Sequence, residues 1–235
     1  MNHDRSLAEA RRRLAPRITD TDWLVLRRMR SAIEAAAQQS VKPGCEVIDF
    51  GCGAMPYAPL FIARGARYRG ADLDGGEIAV QADGRLDAPS GSADLLVSFQ
   101  VLEHIRDLDI YLGEARRVLR DDGRMILSTH GNWLFHPHPE DHRRWTAMGL
   151  RAEIEARGFD MIECIPLVGP LGWTTMLRLT CFATAARAVP LAGRPLAGML
   201  AVAMNVRAMI EERITPAWVA ADNACVYLTI SRPKP

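Results

Sequence analysis

Short apolar runs alternate with amphipathic stretches along most of the chain. Apolar runs bounded by turn residues are typical of buried parallel strands, and apolar residues at helical spacing predict helices. The strand pattern occurs at residues 47–50, 68–74, 78–82, 92–99, 124–130, 159–166 and 224–231. The helical pattern occurs at residues 5–14, 21–39, 57–64, 107–119 and 147–157. Strands that alternate with helices predict an α/β fold.

The sequence makes specific predictions for two of the connections that lead into strands. Only a handful of residues separate Asp72 from the next apolar run at Ile78. A parallel crossover usually needs about a dozen residues. Either the helix between these strands is missing, or the run at 78–82 is not a parallel strand. The Asp-Asp-Gly sequence at 121–123 predicts a turn before the strand at 124–130.

The most informative segment is residues 47–57, with the sequence VIDFGCGAMPY. A buried strand closed by Gly51-Cys52-Gly53 predicts a tight turn whose main chain approaches a ligand. Dinucleotide-binding turns carry G-x-G-x-x-G, but Pro56 occupies the third glycine position. A carboxylate at Asp49 would repel a pyrophosphate and attract a sulfonium or an ammonium group. The segment therefore favours S-adenosylmethionine as the ligand.

Further carboxylates follow at the ends of the next strands. Asp72 closes the second strand, where a carboxylate can accept hydrogen bonds from both ribose hydroxyls. Asp74 is the alternative if the strand register differs. Asp83-Gly84 can contact the edge of an adenine ring, or it is an ordinary turn.

Histidines cluster beyond two later strands. His104 follows the fourth main strand and is the first candidate for a general base. The loop at 132–146 is polar and aromatic, and its position predicts a lid over an acceptor substrate. His142 and His138 in this loop are further candidates, followed by His130. Structural roles remain open for all four histidines. The spacing of the loop histidines matches no metal-ligand set, so no metal site is predicted.

Composition narrows the functional classes. The chain has 235 residues, is 49% hydrophobic and carries a formal net charge of +1. No dense basic stripe is present, which argues against a nucleic-acid partner. Five cysteines are scattered without a C-x-x-C pair, which argues against a disulfide framework and indicates a reducing cytoplasm. The first residues are charged and do not resemble a signal peptide.

Residues 167–210 differ in character from the rest of the chain. Their charged residues are all arginines, and the next acid is Glu211. Two interpretations stay open. The segment is a buried helical subdomain or a homodimer interface, or it is an amphipathic element in peripheral contact with an anionic membrane. The second interpretation would place the protein at the inner face of the membrane.

Together these segments resemble class I S-adenosylmethionine-dependent methyltransferases. The resemblance runs from about residue 45 to about 165 and keeps the family's order of motifs. The matching segments are residues 47–53, 70–73, 83–84, 100–105 and 117–124. The GCGxxPY first motif and the pattern from His138 to Thr146 are similar to a bacterial, type 11-like subgroup found near glycan and cell-surface biosynthesis.

This resemblance implies a Rossmann-like fold. The family's sheet has seven mostly parallel strands with an antiparallel last strand, and helices cover both faces. The implied organisation is an N-terminal helical cap at 1–44, a cofactor-binding core at 45–166, an apolar helical insertion at 167–215 and a final core strand within 216–235.

The resemblance also implies a methyltransferase (EC 2.1.1.-). The expected reaction is O-methylation of a small-molecule, sugar or lipid-linked glycan acceptor. Leu73 would pack on the adenine, and Gln100 would lie near the methionine moiety. The full expected cofactor-binding set is Asp49, Gly51, Cys52, Gly53, Asp72, Leu73, Asp83, Gly84 and Gln100. The alternatives are a catalytically silent cofactor-binding partner protein and a nicotinamide-dependent oxidoreductase.

Overall fold

The computed structural model contains a single mixed β-sheet. It describes residues 3–137 and 140–235, without the side chains of residues 3–6. The described strands are β1 (Glu46–Phe50), β2 (Arg67–Asp72), β3 (Ile78–Ala79), β4 (Ala93–Phe99), β5 (Leu119–His130), β6 (Phe159–Pro166) and β7 (Val226–Pro233). Their order across the sheet is β3-β2-β1-β4-β5-β7-β6. The pairs from β3 to β5 are parallel, and β7 is antiparallel to both β5 and β6. The expected fold class is therefore confirmed.

Helices cover both faces of this sheet. The described α-helices are α1 (His3–Leu14), α2 (Trp23–Ser40), α3 (Ala58–Ile62), α4 (Leu108–Val118), α5 (Ala147–Ala156), α6 (Pro170–Arg187), α7 (Gly193–Ile214) and α8 (Ala217–Asp222). Side chains alternate along the central strands, as the period of a strand requires. Val47 and Leu95 pack with α2 and α3 on one face. Ile48 and Leu96 pack with α4 and α5 on the other.

Side-chain caps define where two of these helices begin. The carboxylate of Asp107 accepts hydrogen bonds from the main-chain N–H groups of Asp109 and Ile110, at 3.0 and 3.1 Å. The hydroxyl of Thr146 accepts one from Gly149 at 3.0 Å. Such caps satisfy N–H groups that have no partner inside the helix. They fix the first turns of α4 and α5 against the carboxyl ends of the strands.

The short connection after β2 leads to a parallel strand. Ala71 pairs with Ile78 and Asp72 with Ala79, in parallel register. The crossover helix is missing, and β3 is only two residues long. The chain then reverses, and Val80 forms an antiparallel bridge with Leu86. The first of the two alternatives for this connection is therefore correct.

The expected turn at 121–123 is wrong. These residues lie inside β5, which starts at Leu119. The pairing with β4 shifts from Ala93–Leu119 to Leu95–Arg124, so the extra residues form a bulge. Asp-Asp-Gly is favourable in a turn, but here the main chain pairs with β4 on both sides of the irregularity.

The insertion between β6 and β7 is a helical hairpin. Helices α6 and α7 pack on each other through small side chains, including Ala183 and Ala197. Near its middle, α7 is attached to the N-terminal segment. The buried side-chain amide of Asn205 donates to the carbonyl oxygens of Ile18 and Asp20, at 2.8 and 2.9 Å. None of the described helices is long and apolar enough to cross a membrane.

Replacement of Asn205 tests this attachment. Asn205→Ala leaves two carbonyl oxygens without their donor, so we expect the free energy of unfolding to fall by about 1–3 kcal/mol. The adjacent Val206 is partly exposed, and Val206→Ala should change stability by less than about 0.5 kcal/mol. Urea titration followed by circular dichroism measures both. Equal stability of the two variants would contradict a bonding role for Asn205.

Candidate functional site

The glycine turn after β1 lies where the carboxyl ends of β1, β2 and β4 meet. Gly51 has a φ of +82°. The N–H groups of Gly51 and Cys52 donate to the carbonyl oxygen of Ala71, at 2.8 and 3.2 Å. A Cβ on Gly51 would lie 2.6 Å from Cγ2 of Val101, which follows β4. Both the backbone angle and the lack of space therefore require glycine here.

Asp49 is buried directly beneath this turn. Its Oδ2 accepts a hydrogen bond from the hydroxyl of Tyr68 at 2.6 Å. Its Oδ1 is buried and has no hydrogen-bond partner within the described residues. Burial is the main cause that raises the pKa of Asp49 to about 7; the Tyr68 hydrogen bond acts in the lowering direction, and the charge of Asp72 adds to the rise. A cationic ligand group near Oδ1 would complete this site.

Asp72 is the last residue of β2 and contacts the glycine turn. Its Oδ2 accepts from the N–H of Gly53 at 2.8 Å, and its Oδ1 accepts from the N–H of Leu73 at 2.7 Å. The side chain of Leu73 is 70% exposed, which leaves it available to pack on a planar ring. Asp74 lies beyond the strand, in the connection to β3. The strand register thus places Asp72, rather than Asp74, at the turn.

Gln100 adopts a strained backbone where the chain leaves β4. Its φ is +60°, which is uncommon for a residue other than glycine. Its main-chain N–H donates to the carbonyl oxygen of Ser128 at 2.9 Å, and its side-chain amide lies 3.2 Å from the Ser128 hydroxyl. These bonds to β5 hold the strained conformation. They also direct the next residue, Val101, against the glycine turn.

Asp83 and Gly84 occupy the exposed turn after β3. The carboxylate of Asp83 accepts from the N–H of Arg85 at 3.1 Å and lies 3.6 Å from Nε of the same residue. Gly84 has a φ of +86°, and a Cβ there would lie 2.8 Å from a side-chain carbon of Ile110 on α4. These contacts account for Asp83 as a turn residue. A role at the adenine ring stays a prediction.

Three histidines form a cluster beyond β4 and β5. The ring of His136 lies 5.8 Å from that of His104 and 5.9 Å from that of His130, between centroids. His104 comes from the segment after β4, His130 is the last residue of β5, and His136 lies in the following loop. The fold therefore brings together two of the proposed bases, His104 and His130, at the same sheet edge as the glycine turn.

His130 lies beside a buried acid. Its Nδ1 lies 3.1 Å from Oε1 of Glu103, whose Oε2 accepts from the Thr129 hydroxyl at 2.9 Å. Burial raises the pKa of Glu103 to about 7 and lowers that of His130 to about 3. The His130 ring also stacks on Trp133, which in turn stacks on Trp173 of α6. His130 thus stays neutral and serves as a fixed wall of the cluster.

His104 has a defined orientation. Its Nδ1 is within hydrogen-bond distance of the main-chain oxygen of Glu140. A carbonyl oxygen can only accept, so Nδ1 carries the hydrogen and Nε2 is the basic nitrogen of the neutral ring. The Glu140 carboxylate binds Nε of Arg106 at 2.7 Å and Nε2 of His142 at 3.0 Å. The ion pair with Arg106 lowers the pKa of Glu140 to about 2. His142 therefore braces the loop.

The loop is held by further polar contacts on either side of residues 138 and 139. Asp141 accepts from the N–H of His136 at 2.7 Å and forms a two-pronged ion pair with Arg144. This pairing holds the pKa of Asp141 well below its usual range. His138, the remaining candidate base, lies outside the described residues. The lid hypothesis therefore concerns a loop that is fastened to the strand ends in this conformation.

Sequence reasoning missed several positioning residues. Tyr68 donates a hydrogen bond to Asp49, and Glu103 lies beside His130, although neither pairing has a signature in the sequence. The packing role of Gly70 was not predicted either. A Cβ on Gly70 would lie 2.6 Å from Sγ of Cys52, so its glycine lets β2 pack against the turn. The position of Glu103 directly before His104 was the one available signal.

Sequence comparison gives this site a family context. Residues 4–163 match the family described as a methyltransferase domain. A probable S-adenosylmethionine-dependent methyltransferase from Mycolicibacterium smegmatis is 31% identical, over 52% of this chain and 54% of the relative. A ubiquinone biosynthesis O-methyltransferase from Azorhizobium caulinodans is 27% identical, over 55% of this chain and 65% of the relative. The chain thus spans about half the length of the first of these relatives and somewhat less than two thirds of the second.

Solved structures share the fold at low sequence identity. A Burkholderia thailandensis 1,6-didemethyltoxoflavin-N1-methyltransferase, solved with its acceptor and S-adenosylhomocysteine, covers 99% of this chain and 83% of its own, with a TM-score of 0.56 and 16% identity. This likeness supports the arrangement of the sheet. The family match and the curated relatives support the cofactor, for which the unpaired Asp49 oxygen and the glycine turn are suited. The chain belongs to the methyltransferase domain family, and its cofactor is S-adenosylmethionine.

Proposed function

We propose that this protein methylates a hydroxyl oxygen on a small-molecule, sugar or lipid-linked glycan acceptor. The observation that carries the proposal is the orientation of His104. Its Nδ1–H is committed to the Glu140 carbonyl oxygen, so Nε2 is free to act as a base for a hydroxyl proton. An O-methyltransferase among the curated relatives supports oxygen as the acceptor atom.

The expected cofactor-binding residues form two groups, one for the charged methionine end of S-adenosylmethionine and one for its ribose and adenine. Asp49, with the main chain of the glycine turn, would face the cationic methionine end. Asp72 would accept hydrogen bonds from the ribose hydroxyls, and Leu73 would pack on the adenine. The remaining members of the expected set are Gly51, Cys52, Gly53, Asp83, Gly84 and Gln100. When bound, the cofactor supplies a methyl group on a positively charged sulfur, which leaves as a neutral thioether.

The protein then has two tasks. It must hold the acceptor oxygen about 3 Å from the methyl carbon and in line with the carbon–sulfur bond that breaks. It must also remove the hydroxyl proton as the carbon–oxygen bond forms, because a protonated ether product is a strong acid. His104 would take that proton on Nε2. His130 is unsuited to this step, since its pKa of about 3 makes it a weak base.

Cofactor binding should depend on Asp72 and much less on Asp74. Asp72→Asn removes a charged acceptor, and we expect S-adenosylhomocysteine affinity to fall about 10- to 100-fold, as loss of a charged hydrogen bond implies. Asp74→Asn, the matched control, should change it less than about threefold. Titration calorimetry measures both, with thermal melts to verify folding. The reverse ranking would shift the site by two residues, and binding of NAD would contradict the cofactor.

Binding of S-adenosylmethionine should strengthen with rising pH through Asp49. Its pKa of about 7 in the free protein means that it is mostly protonated at pH 6 and mostly ionised at pH 8. A cation prefers the ionised form, so affinity should rise about tenfold across this range. Asp49→Asn has no carboxyl to titrate, so its affinity should rise much less between the same two pH values. Titration calorimetry at pH 6, 7 and 8 measures both proteins. An equal rise in the two would show that Asp49 does not face the cationic end.

Loss of His104 should reduce turnover without loss of cofactor binding. We expect His104→Ala to lower kcat about 10²- to 10⁴-fold on hydroxyl acceptors, the usual contribution of a positioned base. His142→Ala removes only a brace and should cost less. The measurement is release of S-adenosylhomocysteine with a panel of free and polyprenyl-linked sugars, beside calorimetry with the same nucleoside. Turnover of amine acceptors alone, or full activity of His104→Ala, would refute O-methylation by this base.

A further inference from the structure

The outer half of the α6–α7 hairpin forms a small structural unit of its own. We define the distal hairpin as residues 179–201. Its buried residues are Leu179, Ala183, Ala186, Ala197 and Ala201, which form a cluster separate from the two cores on the sheet faces. Beyond this segment, α7 returns to the body of the protein through Asn205 and Ala208. At 1.5 Å per helical residue, the stretch from Leu179 to the end of α6 extends about 12 Å.

The distal hairpin presents large apolar side chains to solvent. Leu191, in the loop between the helices, is fully exposed and has a φ of +60°. Phe182 is 54% exposed and Met199 is 66% exposed. Val189 and Leu196, at 45% and 41%, lie close to them in the chain on either side of the loop. The five exposed side chains together form an apolar tip at this end of the hairpin.

Positive charge accompanies this tip without any compensating acid. Residues 164–210 contain four arginines and no aspartate or glutamate. Arg178, Arg187 and Arg194 are exposed, and none forms an ion pair with another described residue. The fourth, Arg207, pairs with Glu211 at 2.8 Å. Arg187 and Arg194 thus flank the apolar tip, Arg178 directly precedes the distal hairpin, and the charge of all three is unmatched within the described chain.

We propose that the distal hairpin docks on an anionic lipid bilayer. The apolar tip would enter the boundary between headgroups and acyl chains, and the flanking arginines would lie at the lipid phosphates. The charge distribution disfavours a second copy as the occupant. In a two-fold interface the same surface meets itself, so both copies would bring arginines and neither would bring a compensating acid from this segment. This proposal concerns attachment only and is independent of the methylation chemistry.

The full chain can be tested by flotation with vesicles. We expect wild type to float with vesicles of phosphatidylcholine containing about 30% phosphatidylglycerol, and to bind pure phosphatidylcholine at least about tenfold more weakly. Added salt should release the protein, because exposed charges are screened. Leu191→Asp with Met199→Asp should lower binding at least about tenfold, and Arg187→Gln with Arg194→Gln should do the same. Ile62→Asp, at an exposed apolar site on α3, should bind as wild type does.

Three results would overturn the proposal. The first is a wild-type protein that does not float with the anionic vesicles at low salt. The second is a set of hairpin variants that float as well as wild type. The third is a wild-type protein that does not bind vesicles but is a dimer by light scattering, and that Leu191→Asp converts to a monomer. That last result would assign the tip to a second copy. Calorimetry with S-adenosylhomocysteine on each variant shows that the fold is intact, and it separates this test from a failure of the cofactor or acceptor assignments.

Discussion

The contact between Gly51 and Val101 sets the geometry of the functional edge. The first follows β1 and the second follows β4, and a single added carbon at Gly51 would collide with Val101. The same turn is bonded to the end of β2 through Ala71 and Asp72. Three strand ends are therefore locked to one turn. The strained backbone of Gln100 follows from this arrangement, since it is what aims Val101 at the glycine.

Two buried acids lie at this edge and differ in what faces their second oxygen. Burial raises the pKa of both Asp49 and Glu103 to about 7. One oxygen of Asp49 accepts a hydrogen bond from the Tyr68 phenol, and the other has no partner within the described residues. The ionised form is therefore suited to a cation from outside the described chain. Glu103 has Thr129 on one oxygen and His130 beside the other. Asp49 thus suits a charged ligand, whereas Glu103 has a basic side chain of the protein beside it and supports the histidine cluster.

The sequence was sufficient for features that depend on local chemistry. Apolar runs placed the strands. The glycines, Asp49 and Asp72 were predicted to meet at one edge of the sheet, and they do, because each residue's place follows from its own backbone or charge. Features that depend on partners distant in the chain could not be predicted from the sequence. Glu103 and His130 are brought together by the pairing of β4 with β5, and no spacing encodes that contact. The turn expected at 121–123 failed for the same reason, because pairing with β4 overrides local turn preference.

Helix α6 connects the two regions for which functions are proposed. Near its start, Trp173 stacks on Trp133, and Trp133 stacks on His130 of the histidine cluster. Its end, at Arg187, belongs to the distal hairpin. The helical rise from Trp173 to Arg187 corresponds to about 21 Å. If the tip lies in a bilayer, this rise is the largest distance by which α6 can separate the Trp173 end of the stack from the lipid. If both proposals hold and α6 stands upright on the bilayer, this spacing would suit an acceptor hydroxyl carried on an extended polar headgroup rather than one at the membrane surface.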